Sequence, residues 1–144
     1  METRSNHLLV EFFDCNKSIL QSQTMIENLM NAAAKASNVT ILQSAFHKFS
    51  PQGITGIIII SESHLSIHTW PEYGYASVDF YTCGDGNPEN AYEVLLQGLE
   101  AKHSEKIMVG RGLSLNNSSM KLEYHNRVSH FPVKNTNTAK IGSN

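Results

Sequence analysis

The sequence predicts an α+β fold, a two-layer sandwich in which a mostly antiparallel β-sheet carries two helices on one face. Three observations lead there. Hydropathy patterns follow one another in the order β-α-β-β-β-β-α-β. The connections between the central strands are too short for the crossovers that parallel pairing requires. The 144 residues, 40% of them apolar and 17% charged, suit one domain built on one substantial core.

Each element has its own signal. Residues 7–13, HLLVEFF, are apolar enough to lie inside a sheet. Met25, Ile26, Leu29, Met30, Ala33 and Ala34 recur as pairs every four residues, which marks an amphipathic helix over about 20–36, ending near Ser37-Asn38. Residues 39–49, VTILQSAFHKF, return to strand spacing. Pro51 and Gly53 punctuate a turn, and GITGIIIISE (53–62) is a buried β-branched strand. Residues 64–70 and 75–82 form two more strands, with PEYG between them as a hairpin-like connection. Asn87-Pro88-Glu89 supplies a capping side chain, a proline for the first turn and an acid, so a helix starts there. That helix is expected to run to about Lys102, and EKIMVGRGLS (105–114) closes the series.

Residues 1–114 therefore read as the domain and 115–144 as a polar, partly disordered C-terminal extension rich in Asn, Ser and Thr. Within it MKLEYHN (120–126) is a candidate strand, and residues 135–144 are expected to fray. No internal repeat is present.

Bulk properties exclude several classes. The formal net charge of −2 gives no electrostatic case for nucleic acid or an anionic membrane as partner. METRSNHLLVEFFDC lacks the apolar stretch of a signal peptide, and the longest aliphatic run is Ile57–Ile60, so neither export nor a membrane span is expected. Cys15 and Cys83 are expected as free thiols of a cytosolic protein.

The chemistry concentrates in ESHLSIHTWPEYGY, residues 62–75. Alternation puts His64, Ser66, His68 and Trp70 on one strand face and Leu65 and Ile67 on the other. The Leu/Ile face belongs in the core; the polar face with its large aromatic suits a pocket or a subunit interface. Three chemistries could use it. A hydrolase would need Ser63 activated by a histidine base, but E-S-H lacks the glycines of a nucleophile elbow. A metal site could recruit His64 and His68 with Cys83 or Glu72, yet residues four apart on a strand lie about 13 Å from one another at ~3.3 Å per residue, and the spacing matches no zinc signature. The third is self-processing. The Ser63 hydroxyl attacks the Glu62 carbonyl, the amide becomes an ester, and β-elimination followed by hydrolysis leaves a pyruvoyl group, a built-in electron sink. It requires a strained turn at the serine, a base, and a donor for the oxyanion.

HLLVEFFDC, and then FHKFSPQGITGIIIISESHLSIHTWPEYGYASVDFYTCGD, resemble the prokaryotic type of S-adenosylmethionine decarboxylase proenzyme. The resemblance fades after the second helix. It implies cleavage between Glu62 and Ser63 into a β chain of residues 1–62 and an α chain from residue 63, with Ser63 becoming the pyruvoyl cofactor. It further implies His68 as the processing histidine, and Thr55, where the family commonly has serine, as the oxyanion hydroxyl. Cys83 resembles the acid that reprotonates the substrate carbon; an unperturbed thiol, pKa ~8.5, is mostly protonated at neutral pH. Glu72 matches a position that binds the ribose hydroxyls, and Phe49 and Trp70 resemble the aromatic part of the nucleoside site. Glu11 and Cys15 fit the family's first strand, with no chemistry assigned beyond packing or support. No metal ligand is implied.

The implied activity is decarboxylation of S-adenosylmethionine through a Schiff base, feeding aminopropyl groups to spermidine synthesis, in a cytoplasmic homodimer with active sites between protomers. Two rivals stand beside it: the same scaffold and cofactor acting on ornithine or arginine, and a non-catalytic binding or metal-sensing domain that keeps the fold.

Overall fold

A computed structural model describes residues 3–113, 120–128 and 139–141. Its elements are β1 (Ser5–Phe13), α1 (Lys17–Leu20), α2 (Gln23–Ala36), β2 (Ile41–Lys48), β3 (Ile54–Ile60), β4 (Ser63–Trp70), β5 (Tyr75–Cys83), α3 (Pro88–Gly98), β6 (His103–Arg111), β7 (Lys121–Val128) and β8 (Ala139–Ile141). The strands form one sheet in the order β2-β3-β4-β5-β1-β6-β7-β8, antiparallel at every pairing. The meander β2 to β5 follows from its short connections. The first strand of the chain, β1, lies in the interior between β5 and β6.

One sheet face is covered by the helices, as expected. Ile58, Leu65, Phe80, Leu8 and Met108 fall in a single row across five strands, and the first four are at most 1% exposed. Ile26, Met30, Ala33 and Ala34 of α2 and Leu95 and Leu96 of α3 close over that face. Burying each large aliphatic side chain contributes on the order of 1.5–3 kcal/mol. The helices pack closely: a Cβ at Gly98 would stand 2.1 Å from a Leu29 methyl, so α3 meets α2 where it has no side chain.

Several boundaries differ from the sequence-based expectation. The helix expected from about residue 20 is preceded by a one-turn helix capped by the Asn16 side chain, and α2 has its own cap, Ser22 Oγ accepting from Met25 N. α3 stops at Gly98 rather than Lys102. Leu99 is the C-cap and Glu100 takes φ 54°, so the buried Leu99 and Ala101 belong to the turn into β6. PEYG is a 3-10 turn, Pro71–Tyr73, closed by Gly74 at φ 62°, a conformation that favours glycine. MKLEYHN lies in β7. Ala139–Ile141, expected in the frayed end, pair with Asn126–Tyr124 as β8; the rest of 135–144 lies outside the described residues.

Candidate active site

β3 and β4 are joined by two residues, Ser61 and Glu62. Two-residue hairpins usually place positive φ at the connecting residues. Here neither has it, and the first residue of β4, Ser63, stands at φ 152°. For a non-glycine residue this region costs on the order of 1–3 kcal/mol and persists only where the surroundings enforce it. The strain therefore sits at the residue the sequence singled out.

The carbonyl before Ser63 is held from the opposite strand. Cys83 N–H donates to Glu62 O at 3.0 Å and Cys83 Sγ at 3.1 Å. Two donors on one carbonyl form the arrangement that stabilises negative charge on that oxygen. The Glu62 side chain turns away and accepts from Thr40 N at 3.4 Å. Cys83, half-buried, and Cys15, buried, are both free thiols. Burial, and then the neighbouring Asp14 carboxylate, push the Cys15 thiol up to about 12, which leaves it inert at neutral pH.

The far end of β4 carries a second group. His68 faces Thr55 on β3 and Ser77 on β5, and Thr55 Oγ1 lies 2.9 Å from His68 Nδ1. Trp70 packs 5.0 Å from Tyr75 and 6.4 Å from His68 between ring centroids. The aromatic row continues to Phe13 and His103, at 5.7 and 4.6 Å. Tyr75 donates to Glu11 Oε2, and Ser77 Oγ to Glu11 Oε1 at 3.2 Å. Burial and the Glu11 hydrogen bond push Tyr75 up to about 12, so it remains a donor. Glu72 is exposed on the 3-10 turn beside Trp70. Phe49 is held at the β2–β3 turn, its N–H on Gly53 O at 2.8 Å and its ring edge-on to His47 at 4.6 Å.

Of the residues singled out from sequence, Glu62, Ser63 and Cys83 thus meet at one end of β4, and Thr55, His68, Trp70 and Glu72 gather toward the other. The two ends do not meet within a chain. His68 is five residues beyond Ser63 along an extended strand, about 16 Å at ~3.3 Å per residue.

Two polar residues of the open face escaped sequence reading. Asp79, on β5, receives His7 Nε2 at 2.6 Å and His64 Nε2 at 3.0 Å on one oxygen and the Ser66 hydroxyl on the other. Burial alone would push the Asp79 carboxyl up; hydrogen bonds from Ser66, His7 and His64 outweigh it and hold the group below the usual carboxylate range. His64 therefore pairs with His7 across β5 instead of with His68 along β4. Ligand atoms of His7, His64 and Asp79 lie within 4.8 Å of one another, a spacing open to a metal ion. Arg111 Nη1, however, donates to His7 Nδ1 at 3.2 Å, which places the His7 proton on Nε2, facing Asp79, where a metal would need the lone pair. The parity of His7 in HLLVEFF, shared with Glu11, was the readable signal.

The open face also leaves Leu9, Ile57, Ile59 and Trp70 between 39% and 42% exposed. Among the described residues, no helix is long and apolar enough to cross a membrane.

Comparison with known proteins points one way. The family described as S-adenosylmethionine decarboxylase matches residues 6–112. The chain is 47% identical over 113 residues to the S-adenosylmethionine decarboxylase proenzyme of Thermotoga petrophila, covering 78% of this chain and 87% of that protein. To the proenzyme of Acetivibrio thermocellus it is 45% identical over 114 residues, covering 78% and 92%. Among solved structures, the adenosylmethionine decarboxylase from Aquifex aeolicus superposes with a TM-score of 0.71 at 34% identity, covering 82% of this chain and 98% of that one.

Proposed function

The chain belongs to the S-adenosylmethionine decarboxylase family, and from that premise we propose that it cleaves itself at Glu62–Ser63 and then decarboxylates S-adenosylmethionine in a homodimer. The observation that carries this reading is the strained Ser63, φ 152°, behind a carbonyl that already accepts two hydrogen bonds from Cys83.

Ser63 Oγ attacks the Glu62 carbonyl carbon. The developing oxyanion is met by Cys83 N–H and Sγ–H, and the amide opens to an ester. A base then removes the Ser63 α-proton, and elimination frees residues 1–62. His68 is suited to be that base, because with Nδ1–H donating to Thr55 Oγ1 its Nε2 presents a lone pair. Its own chain keeps it about 16 Å from Ser63 by strand rise, so the His68 that acts comes from a second copy, together with its Thr55. The apolar open face, with Leu9, Ile57 and Ile59 exposed, supports pairing of two sheets face to face. Thr55 then acts by holding His68 Nδ1 so that Nε2 takes the proton, which differs from the direct oxyanion hydroxyl that its resemblance implies.

A pyruvoyl group derived from Ser63 would supply a carbonyl electron sink for a substrate amine that loses CO2. Around it Cys83 is placed to return a proton to the substrate carbon. Trp70 offers a ring face to the adenine and the sulfonium, Glu72 accepts the ribose hydroxyls, and Phe49 completes the aromatic contact. The product would feed aminopropyl groups to spermidine synthesis.

Intact mass of the purified chain, joined to CO2 release from S-adenosylmethionine, ornithine and arginine in parallel, tests the reading. Two fragments and release from the nucleoside substrate are expected. Release only from the amino acids overturns the substrate, and a single uncut inactive species returns the chain to a binding role.

A further inference from the structure

We propose that Asp79, tied to His7 and His64, is a positioning group that holds Ser63 in its strained conformation and thereby drives the acyl shift at Glu62–Ser63; the inference rests on the self-cleavage proposed above. Among the described residues Ser63 is one of four non-glycine positions with positive φ and the one that lies at the start of a strand. Its neighbours must enforce it. Upstream, Ser61 N donates to Thr40 O at 2.9 Å and Glu62 O is fixed by Cys83. Downstream, the next side chain, His64, ends on Asp79, and so does Ser66, two residues further along.

Asp79 itself is anchored from the third strand by His7 at 2.6 Å. His7 is held in turn by Arg111 on β6 and packs against Tyr81, whose hydroxyl accepts from Ser5 at 3.0 Å. The Arg111 guanidinium lies 4.5 Å over the Tyr81 ring. One carboxylate thus ties β4 to β5 and β1, with every donor aimed at it. The backbone of His64 cannot rotate to relax Ser63 without breaking that tie. The step it favours is an isomerisation: the Ser63 Oγ–Glu62 carbon bond forms, the carbon–nitrogen bond breaks, and the hydroxyl proton passes to the Ser63 nitrogen. Opening the amide releases the constraint on the Ser63 backbone, so strain held by the tie tilts the balance toward ester. After elimination the same tie keeps residues 64 and 66, now close to a new chain end, from fraying away from Cys83.

The test uses the full chain carrying His68→Ala, in which elimination is blocked and amide and ester equilibrate. A pulse of neutral hydroxylamine, kept shorter than the exchange, cleaves the ester and spares the amide. The cut fraction by intact mass, extrapolated to zero time, therefore reports their ratio. Adding Asp79→Asn should lower the ester-to-amide ratio about tenfold, equivalent to ~1.4 kcal/mol, and Asp79→Glu should restore part of it. An unchanged ratio in a folded Asp79→Asn chain, judged by circular dichroism, overturns the inference alone. Should Asp79→Asn not fold, His7→Asn removes only the β1 anchor. A fall of about threefold is then expected, and no fall overturns the proposal. Cleavage that is lost in EDTA and restored by Zn2+ also overturns it, because a metal would take the place of the Nε2 protons. A wild-type chain that stays at full mass overturns the self-cleavage reading, and this inference with it.

Discussion

The two ends of β4 are prepared in different ways. At Ser63 the backbone carries the preparation: a φ of 152° and a carbonyl that accepts from Cys83 N–H. At His68 and Trp70 the backbone is ordinary strand, and side chains carry it: Thr55 on the imidazole, Tyr75 against the indole. A strained backbone conformation is useful only to the chain that contains it, whereas a base and an aromatic wall can serve another molecule. One strand can therefore hold both halves of a site that its own length keeps apart.

The largest effect expected is from Ser63→Ala, which removes the nucleophile: cleavage and turnover should vanish, leaving one full-length mass. The sharper experiment co-expresses Ser63→Ala with His68→Ala chains. If the ends act across a dimer, the His68→Ala chain should be cut in the mixture and uncut by itself. Equal failure in both would mean that His68 acts within its own chain, and cutting of the His68→Ala chain by itself would mean that His68 is not the base. Next in size, Cys83→Ala keeps the N–H donor and loses Sγ. Self-cleavage, followed by mass, should slow by roughly tenfold, less than the ~10²–10³ for a strong oxyanion donor because a thiol donates weakly. CO2 release per cut chain should fall further, since the proton donor is gone.

A smaller effect concerns stability. The folded pKa of Asp79 is depressed. Its contribution is therefore present above its unfolded value, ~3.9, and is lost as pH falls through the folded one. Urea midpoints should drop below about pH 4 in the wild type, and Asp79→Asn should flatten that acid limb; an unaltered limb would remove Asp79 from the account. Smallest of all, Cys15 with its pKa near 12 should resist alkylation at pH 8, where the thiolate is about one part in 10⁴. Peptide mapping of the native protein should find label on Cys83 first.

Much of this was legible in the sequence because it rests on local periodicity. The β-branched run Ile57–Ile60, the alternation from His64 to Trp70 and the Asn87-Pro88 start each specify an element from nearest neighbours. The end of α3 was not legible: Leu99 and Ala101 are buried like helix residues, and only the φ of Glu100 separates them from the helix. Asp79 and His7 were missed for a different reason. Seventy-two residues separate them, and which strand lies beside which is set by the return of β1 to the interior, a decision no short window contains. The same applies to Cys83 against the Glu62 carbonyl. The resemblance brought Cys83 to notice, but the sequence held no sign that its N–H and Sγ would both donate to the Glu62 carbonyl.

The place of β1 has a consequence for the severed protein. A break after Glu62 would leave one fragment with β1, β2 and β3 and the other with β4 through β8. Because β1 is paired with β5 on one edge and β6 on the other, the first fragment stays wedged through the second like a key left in its lock. The two pieces cannot drift apart by loosening an outer contact; β1 must be drawn out from between two neighbours at once. The cut chain should therefore unfold as one cooperative body, and its fragments should part only where the sheet itself melts.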